Sequence, residues 1–145
     1  MKFNLSLRKN IFVYDIECDG LLDTATKIHC LSIAWRDHNG IMRTKSTTNY
    51  DEMRKFFTNK TITRIGHNIT LYDERIITKL LGIDTLHSNN QIIDTLALSW
   101  YLFPERKKHG LEEWGHDVGI SKVEIKDWQN LTSEEYIHRD RKSVV

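Results

Sequence analysis

The sequence predicts an α/β domain in which helices flank a mixed sheet. Three stretches with strand patterns come first and are joined by short turns, which predicts three antiparallel strands. After them, short β-branched runs alternate with segments whose apolar residues recur every three or four positions, as parallel strands and helices do. The chain has 145 residues with one proline and seven glycines. We therefore expect a single domain over residues 1–145.

The first half of the sheet is followed by a helix. The three antiparallel strands are predicted at residues 11–20, 27–35 and 41–45. Residues 37–40, Asp-His-Asn-Gly, have the composition of a hairpin turn between the second and third strands. Asn49 can cap a helix whose Met53, Phe56 and Phe57 fall on one face.

In the second half, strands are predicted at residues 61–66 and 91–93. A helix with apolar residues at 76, 77, 80 and 81 follows the first of these strands and is closed by Gly82. Another covers residues 94–103 and stops at Pro104, and a third lies between Gly110 and Gly119. Residues 132–135, Thr-Ser-Glu-Glu, form a capping box that opens the last helix.

Two carboxylates near the end of the first strand are the leading candidates for a functional site. Asp15 and Glu17 are two residues apart, so they project from the same face of a strand, with Tyr14 and Ile16 on the other. Two like charges at such a short distance repel each other unless a multivalent cation lies between them. The spacing favours a metal site, although an isolated Asp-x-Glu is also found at exposed strand ends.

Two further segments carry candidate groups. Asp73 stands at the start of a helix, where the positive end of the dipole favours an anion, so it is either a functional carboxylate or a helix cap. Tyr136 and Asp140 are one helical turn apart and share a face of the last helix.

In this order, Asp15-Ile-Glu17, Asn68 with Tyr72-Asp73, and Tyr136-x-x-x-Asp140 resemble the three exonuclease motifs of the DEDD superfamily, whose fold is ribonuclease H-like. The chain is most similar to the proofreading 3′–5′ exonuclease domain of bacteriophage family A DNA polymerases. Flanking segments at residues 21–30, 94–99 and 109–115 also resemble that group. The polymerase module is absent and the last helix stops at Val145, sooner than in the family, which predicts a stand-alone reading frame or a fragment.

The resemblance implies a two-metal hydrolysis of phosphodiesters at 3′ ends. Asp15, Glu17, Asp73 and Asp140 would hold two divalent cations, Mg²⁺ or Mn²⁺, which prefer oxygen ligands. Tyr136 would orient the attacking water, because its ordinary pKa of about 10 makes it a poor base at neutral pH. The implied substrate is a single-stranded DNA 3′ end, with RNA as an alternative, and the implied partner is a DNA polymerase.

Three residues are candidate substrate contacts. Asn68 and Tyr72 would meet the last nucleotides, although Tyr72 could equally pack in the core. His109, with Lys107 and Lys108, would meet backbone phosphate, or would belong to a solvated charged loop. The tryptophans are interpreted as core or half-buried packing residues, namely Trp35, Trp114 and Trp128.

The third motif has two competing registers. In the first, Tyr136 and Asp140 form the tyrosine version of the motif. In the second, Ser143-Val-Val aligns with the Asp-Val-Val of relatives, His138 takes the place of the histidine version, and a serine replaces the fourth carboxylate. The helical wheel favours the first register. The second predicts a catalytically weakened domain that binds nucleic acid or a polymerase.

Composition restricts the other possibilities. Lys and Arg total 21 against 20 for Asp and Glu, so no net basic charge indicates a nucleic-acid partner, but balanced charge does not exclude one. Cys18 and Cys30 lack the spacing of a zinc site and are interpreted as free thiols of a reducing cytosol. No segment has the apolar length of a membrane span or the pattern of a secretory signal, so we expect a cytoplasmic protein, in the host cell if phage-encoded.

Overall fold

A computed structural model describes residues 10–87 and 91–120, together with residues 132, 134, 135 and 137. The described chain forms one five-stranded sheet with the order β3-β2-β1-β4-β5. Its strands are β1 (Ile11–Cys18), β2 (Ile28–Arg36), β3 (Met42–Thr47), β4 (Thr63–Gly66) and β5 (Gln91–Asp94). Each predicted strand is present, with ends that differ from the prediction by up to two residues.

The sheet is mixed, as predicted. β1 pairs antiparallel with β2, and β2 pairs antiparallel with β3. On its other side β1 pairs parallel with β4, and β4 pairs parallel with β5. The register between β1 and β2 shifts between Glu17 and Cys18. β1 is the central strand of the sheet, and the irregularity lies at its carboxyl end, directly after Glu17.

Four helices are described in full, namely α1 (Tyr50–Thr58), α2 (Asp73–Leu81), α3 (Thr95–Leu102) and α4 (Leu111–Asp117). The side chain of Asn49 accepts hydrogen bonds from the amides of Asp51 and Glu52, which confirms the predicted cap of α1. Gly82 ends α2 with a φ of 69°, a left-handed conformation that favours glycine.

The core lies on one face of the sheet, where the inward residues of β1 meet α1 and α2. Tyr14 and Ile16 are only 2% and 4% exposed, whereas Val13 on the opposite face is 42% exposed. This alternation is the period of two that a strand imposes. The other members of the core include Leu31 from β2, Met53 and Phe57 from α1, and Ile76, Ile77 and Leu81 from α2.

Near the carboxyl end, the capping box is formed. The amide and the hydroxyl of Thr132 donate to the Glu135 carboxylate at 2.8 and 2.9 Å, and the Glu135 amide donates back to the hydroxyl at 3.3 Å. Trp128 lies outside the described residues. No helix in the described part of the chain is long and apolar enough to span a bilayer.

Candidate active site

The first part of the site is the acidic pair on β1. Asp15 and Glu17 are half-buried on the face opposite to Tyr14 and Ile16. In the antiparallel register Asp15 stands opposite Ser32. Because Asp15 and Glu17 both belong to the part of β1 that pairs with β2, these carboxylates are held by the sheet rather than by a loop.

Asp73 brings a third carboxylate to this strand. It is the first residue of α2 and is 4% exposed, and its Oδ1 accepts a hydrogen bond from the Ile16 amide at 3.3 Å. Burial, and after it the negative charge of Asp15, raise the pKa of the Asp73 carboxyl to about 8. The structure therefore brings Asp73 to the strand that carries Asp15, close enough for their charges to interact.

The pair formed by Asp15 and Asp73 is suited to a hard divalent cation. Two carboxylates that resist simultaneous ionisation become compatible when a cation lies between them, and their oxygens are the ligands that Mg²⁺ and Mn²⁺ prefer. In the described part of the chain, however, no three His, Cys, Asp or Glu side chains converge closely enough to hold an ion. Of the predicted site residues, Tyr136 and Asp140 lie outside the described residues, as do His138 and Ser143 of the alternative register.

Asn68 lies in the turn between β4 and α2, ahead of Asp73. It is half-buried and adopts a φ of 61°, a conformation that asparagine tolerates better than most residues. Gly66 begins the turn, and a Cβ there would lie 2.3 Å from Ile69 Cγ2 and 3.0 Å from the Tyr14 carbonyl. Only glycine fits so close to β1 without displacing the turn.

Tyr72 packs against the core and has a fixed hydroxyl. That hydroxyl donates a 2.6 Å hydrogen bond to the carbonyl of Gly20, just beyond β1. Burial raises the pKa of the neighbouring Cys18 thiol to about 12, despite the opposing hydrogen bond with Tyr72. Neither Cys18 nor Cys30 forms a disulfide, as expected. The core-packing alternative thus describes Tyr72 in this structure, and a nucleotide contact stays a prediction.

His109 does not lie in a solvated loop. It is 3% exposed, and its Nδ1 and Nε2 bond to the Ser99 hydroxyl at 2.7 Å and the Arg106 carbonyl at 3.0 Å. The ring also stacks on Trp100, with centroids 3.8 Å apart. Because both nitrogens have protein partners, a phosphate contact by His109 would require one of these bonds to break, and such a contact stays a prediction. Trp35 and Trp114 are half-buried, as predicted.

Sequence reasoning missed two acidic residues that hold the site together. Glu74, next to Asp73, is fully buried and bonded to Tyr14 and Arg64. Asp94 accepts hydrogen bonds from Asn68 and other groups around the site. The sequence positions of these two residues were the signal that could have identified them. Glu74 adjoins a motif residue, and Asp94 ends a strand that is parallel to β4.

Comparison with known proteins finds nucleases. No protein-family model and no curated protein matches the chain. Among solved structures, Brucella melitensis NrnC with bound Mg²⁺ is 17% identical over 97% of this chain and 73% of NrnC, with a TM-score of 0.57. The apo form of a second nuclease is 12% identical over 94% of this chain and 68% of its own, with a TM-score of 0.65.

A third match is Escherichia coli Exonuclease I in complex with a dT13 oligonucleotide. It is 11% identical over 92% of this chain and 40% of the exonuclease, with a TM-score of 0.59. Another structure of Brucella NrnC, bound to pGG, is 17% identical over 98% of this chain and 74% of NrnC, with a TM-score of 0.60. At these identities the shared property is the fold. The chain has the ribonuclease H-like α/β fold of these nucleases.

Proposed function

We propose that this protein is a metal-dependent 3′–5′ exonuclease that removes nucleoside 5′-monophosphates from DNA 3′ ends. The observation that carries the proposal is the approach of Asp73, on α2, to the strand of Asp15. The fold shared with several nucleases supports it. Burial of Asp73 within reach of the charge of Asp15 costs free energy that its hydrogen bond with the Ile16 amide does not remove, and a bound cation would offset that cost.

In this proposal four carboxylates form the metal site. Asp15, Glu17 and Asp73 would be joined by Asp140, and together they would hold two divalent cations, Mg²⁺ or Mn²⁺. Bound ions of this kind acidify water and stabilise the leaving oxygen of an in-line displacement at phosphorus. The Mg²⁺ in one NrnC structure is consistent with such a requirement.

The chain itself would bind and orient the reacting groups. The amide of Ile16 donates to Oδ1 of Asp73 and so orients this carboxylate beside β1. Tyr136 would orient the attacking water by hydrogen bonding, while Asn68 and Tyr72 would contact the terminal nucleotides. Asp73 must lose its proton before it can bind a cation, so ligand binding and deprotonation are coupled.

The proposed substrate is a single-stranded 3′ end. The oligonucleotides in the Exonuclease I and NrnC structures support a site for short single strands in this fold. We propose DNA as the substrate because the motifs resemble those of proofreading domains, and on the same ground we propose a DNA polymerase as partner. An exoribonuclease of the ribonuclease D kind would use the same carboxylates on RNA.

Single-stranded DNA and RNA labelled at the 5′ end, incubated with Mg²⁺ or Mn²⁺, test the proposal. We expect a ladder of DNA products shortened from the 3′ end, and no products in excess chelator. Asp15→Ala with Glu17→Ala should abolish degradation. As a matched control, Glu105→Ala with Glu112→Ala removes two exposed carboxylates and should leave the rate unchanged.

Each contrary result has a definite meaning. Full activity in the Asp15/Glu17 variant, or in chelator, contradicts the two-metal mechanism. Degradation of RNA alone replaces the DNA substrate by RNA. Binding of the oligonucleotide without degradation by wild-type protein identifies a catalytically weakened nucleic-acid-binding domain.

A further inference from the structure

The turn before α2, residues 66–72, depends on hydrogen bonds from outside itself. The amides of Asn68 and Thr70 donate to a side chain outside the turn, and surrounding contacts have to maintain the left-handed conformation of Asn68. These contacts affect the candidate site because the turn leads directly to Asp73.

One carboxylate, that of Asp94, supplies them. Its Oδ1 accepts the Asn68 amide at 2.9 Å, and its Oδ2 accepts the amide and hydroxyl of Thr70 at 2.9 and 2.6 Å. Oδ1 also accepts the Leu96 amide at 2.9 Å and so caps α3. Burial would raise the pKa of the Asp94 carboxyl, but the hydrogen bonds from Thr70, Leu96 and Asn68 hold it below its ordinary value.

Backbone hydrogen bonds also join this turn to the start of α2. The Tyr72 amide donates to the Asn68 carbonyl at 3.3 Å, and the Glu74 amide donates to the Ile69 carbonyl at 2.8 Å. These two donors flank Asp73 in the sequence. A change in the turn that Asp94 holds would therefore be transmitted to the backbone on both sides of Asp73.

A second connection strengthens the same junction. Gly66 and Asp94 are register partners at the carboxyl ends of β4 and β5. The hydroxyl of Thr95 donates to the Gly66 carbonyl at 3.1 Å and bonds to His67 Nδ1 at 2.9 Å. Two consecutive residues, Asp94 and Thr95, thus fix the start of the turn and its interior to the beginning of α3.

We propose that Asp94 is a positioning residue for the active site. Its carboxylate holds Asn68 and, through the turn, the first residue of α2 in the arrangement that metal and substrate binding require. The inference rests on the proposed nuclease function, in which Asp73 is a ligand and Asn68 a substrate contact. Groups that orient metal ligands in this way commonly change metal affinity or activity about 10- to 100-fold when replaced.

Asp94→Asn is the informative variant. It keeps the size of the side chain and one carbonyl oxygen, but its NH₂ group must face either the Thr70 amide or the Asn68 and Leu96 amides, where two donors oppose each other. We expect faster amide hydrogen exchange at Asn68 and Thr70. Mn²⁺ affinity and kcat should each fall about 10- to 100-fold, with a smaller change in KM for single-stranded DNA.

Asp84→Asn is the matched control, because Asp84 is an exposed turn carboxylate that accepts the His87 amide at 3.1 Å. It should leave all these quantities unchanged. Thr70→Val removes only one hydroxyl bond to Asp94 and serves if Asp94→Asn fails to fold. The valine variant should show the same changes more weakly, and Thr70→Ser should restore wild-type values.

The outcomes separate this inference from the proposed function. Absence of nuclease activity in wild-type protein contradicts the function, while amide exchange and Mn²⁺ affinity still test the role of Asp94. Unchanged exchange at Asn68 and Thr70 together with unchanged Mn²⁺ affinity would overturn the inference. So would a loss of kcat that matches the loss of folded protein, since that is the result of a merely structural role.

Discussion

The guanidinium group of Arg64 lies 3.4 Å from both carboxylate oxygens of Glu74, and neither side chain is exposed. Tyr14 donates a 2.5 Å hydrogen bond to the same carboxylate, and Arg64 also donates to the Phe57 carbonyl at 3.3 Å. The network joins β1, β4 and α1 to the residue that follows Asp73. When one partner of such a buried ion pair is removed, the charge that remains has no counter-ion and destabilises the fold.

Replacement of Arg64 by Met should therefore destabilise the fold strongly. The variant leaves the Glu74 carboxylate buried without its cation, and losses of about 3–5 kcal/mol are usual in such cases. Arg54→Met is the control, because Arg54 pairs with Asp51 at 3.5 Å on the surface, where a pair contributes about 1 kcal/mol or less. Urea unfolding measures both. Equal losses would show that the buried pair does not stabilise the domain.

The second prediction concerns pH, and it applies without divalent ions. The pKa of Asp73 is about 8 in the folded protein against an ordinary value of 3.8, so between these values the folded state keeps a proton that the unfolded state has released. The contribution of this retained proton to the free energy of unfolding is fully present below about pH 4. It falls by at most about 1.4 kcal/mol per pH unit as the pH rises, and it is lost above about pH 8.

Asp73→Asn isolates the effect of that one group. The variant cannot ionise at this position, so its free energy of unfolding should depend less on pH between 5 and 8 than that of the wild type. The difference between the two proteins, measured by urea unfolding in chelator, is the quantity to compare. Parallel curves for both would mean that Asp73 is not protonated in the folded protein.

The third prediction is that divalent ions stabilise the fold through the acidic site. Ions that bind only the folded state raise its stability by about 2.7 kcal/mol at a concentration one hundred times their Kd. Millimolar Mn²⁺ should thus raise the Tm, and more at pH 8 than at pH 6, because the ion competes with the proton on Asp73. The Asp15→Ala, Glu17→Ala variant should show little rise. An equal rise there would place the ions elsewhere.

Local patterns predicted the elements well because each depends on neighbouring residues. The alternation that buries Tyr14 and Ile16, the cap at Asn49 and the left-handed Gly82 are all properties of short segments. The mixed sheet was predicted from the order of those segments, and the ribonuclease H-like fold from the resemblance of the motifs. Both predictions are confirmed.

Contacts between distant segments could not be predicted in this way. The two lysines before His109 indicated a solvated loop, but Ser99, ten residues earlier, gives the ring a buried partner. The same holds for Asp94, whose partners Asn68 and Thr70 lie on another segment. Strand periodicity predicts which face of the sheet a side chain occupies, but it does not predict which polar group becomes its hydrogen-bond partner.

The last prediction decides which residue supplies the fourth carboxylate. The hydrogen bonds between Thr132 and Glu135 form the predicted capping box, and Ile137 is helical. Since Glu134, Glu135 and Ile137 are already helical, the helix begins before position 138, whereas the resemblance to the histidine version of the motif implies a histidine that precedes the helix. The register with Tyr136 and Asp140 is therefore favoured.

Asp140→Ala should reduce the rate of 3′-end degradation at least as severely as the loss of Asp73, because either change removes one of four proposed ligands. Ser143→Asp should leave the rate unchanged, since an added carboxylate outside the ligand set binds no ion. Both variants should retain the wild-type Tm in chelator, which serves as the control for folding. If Asp140→Ala keeps full activity and Ser143→Asp raises the rate strongly, the register with His138 and Ser143 is correct. The natural protein is then a weakened nuclease, because serine cannot replace a charged ligand of a divalent cation.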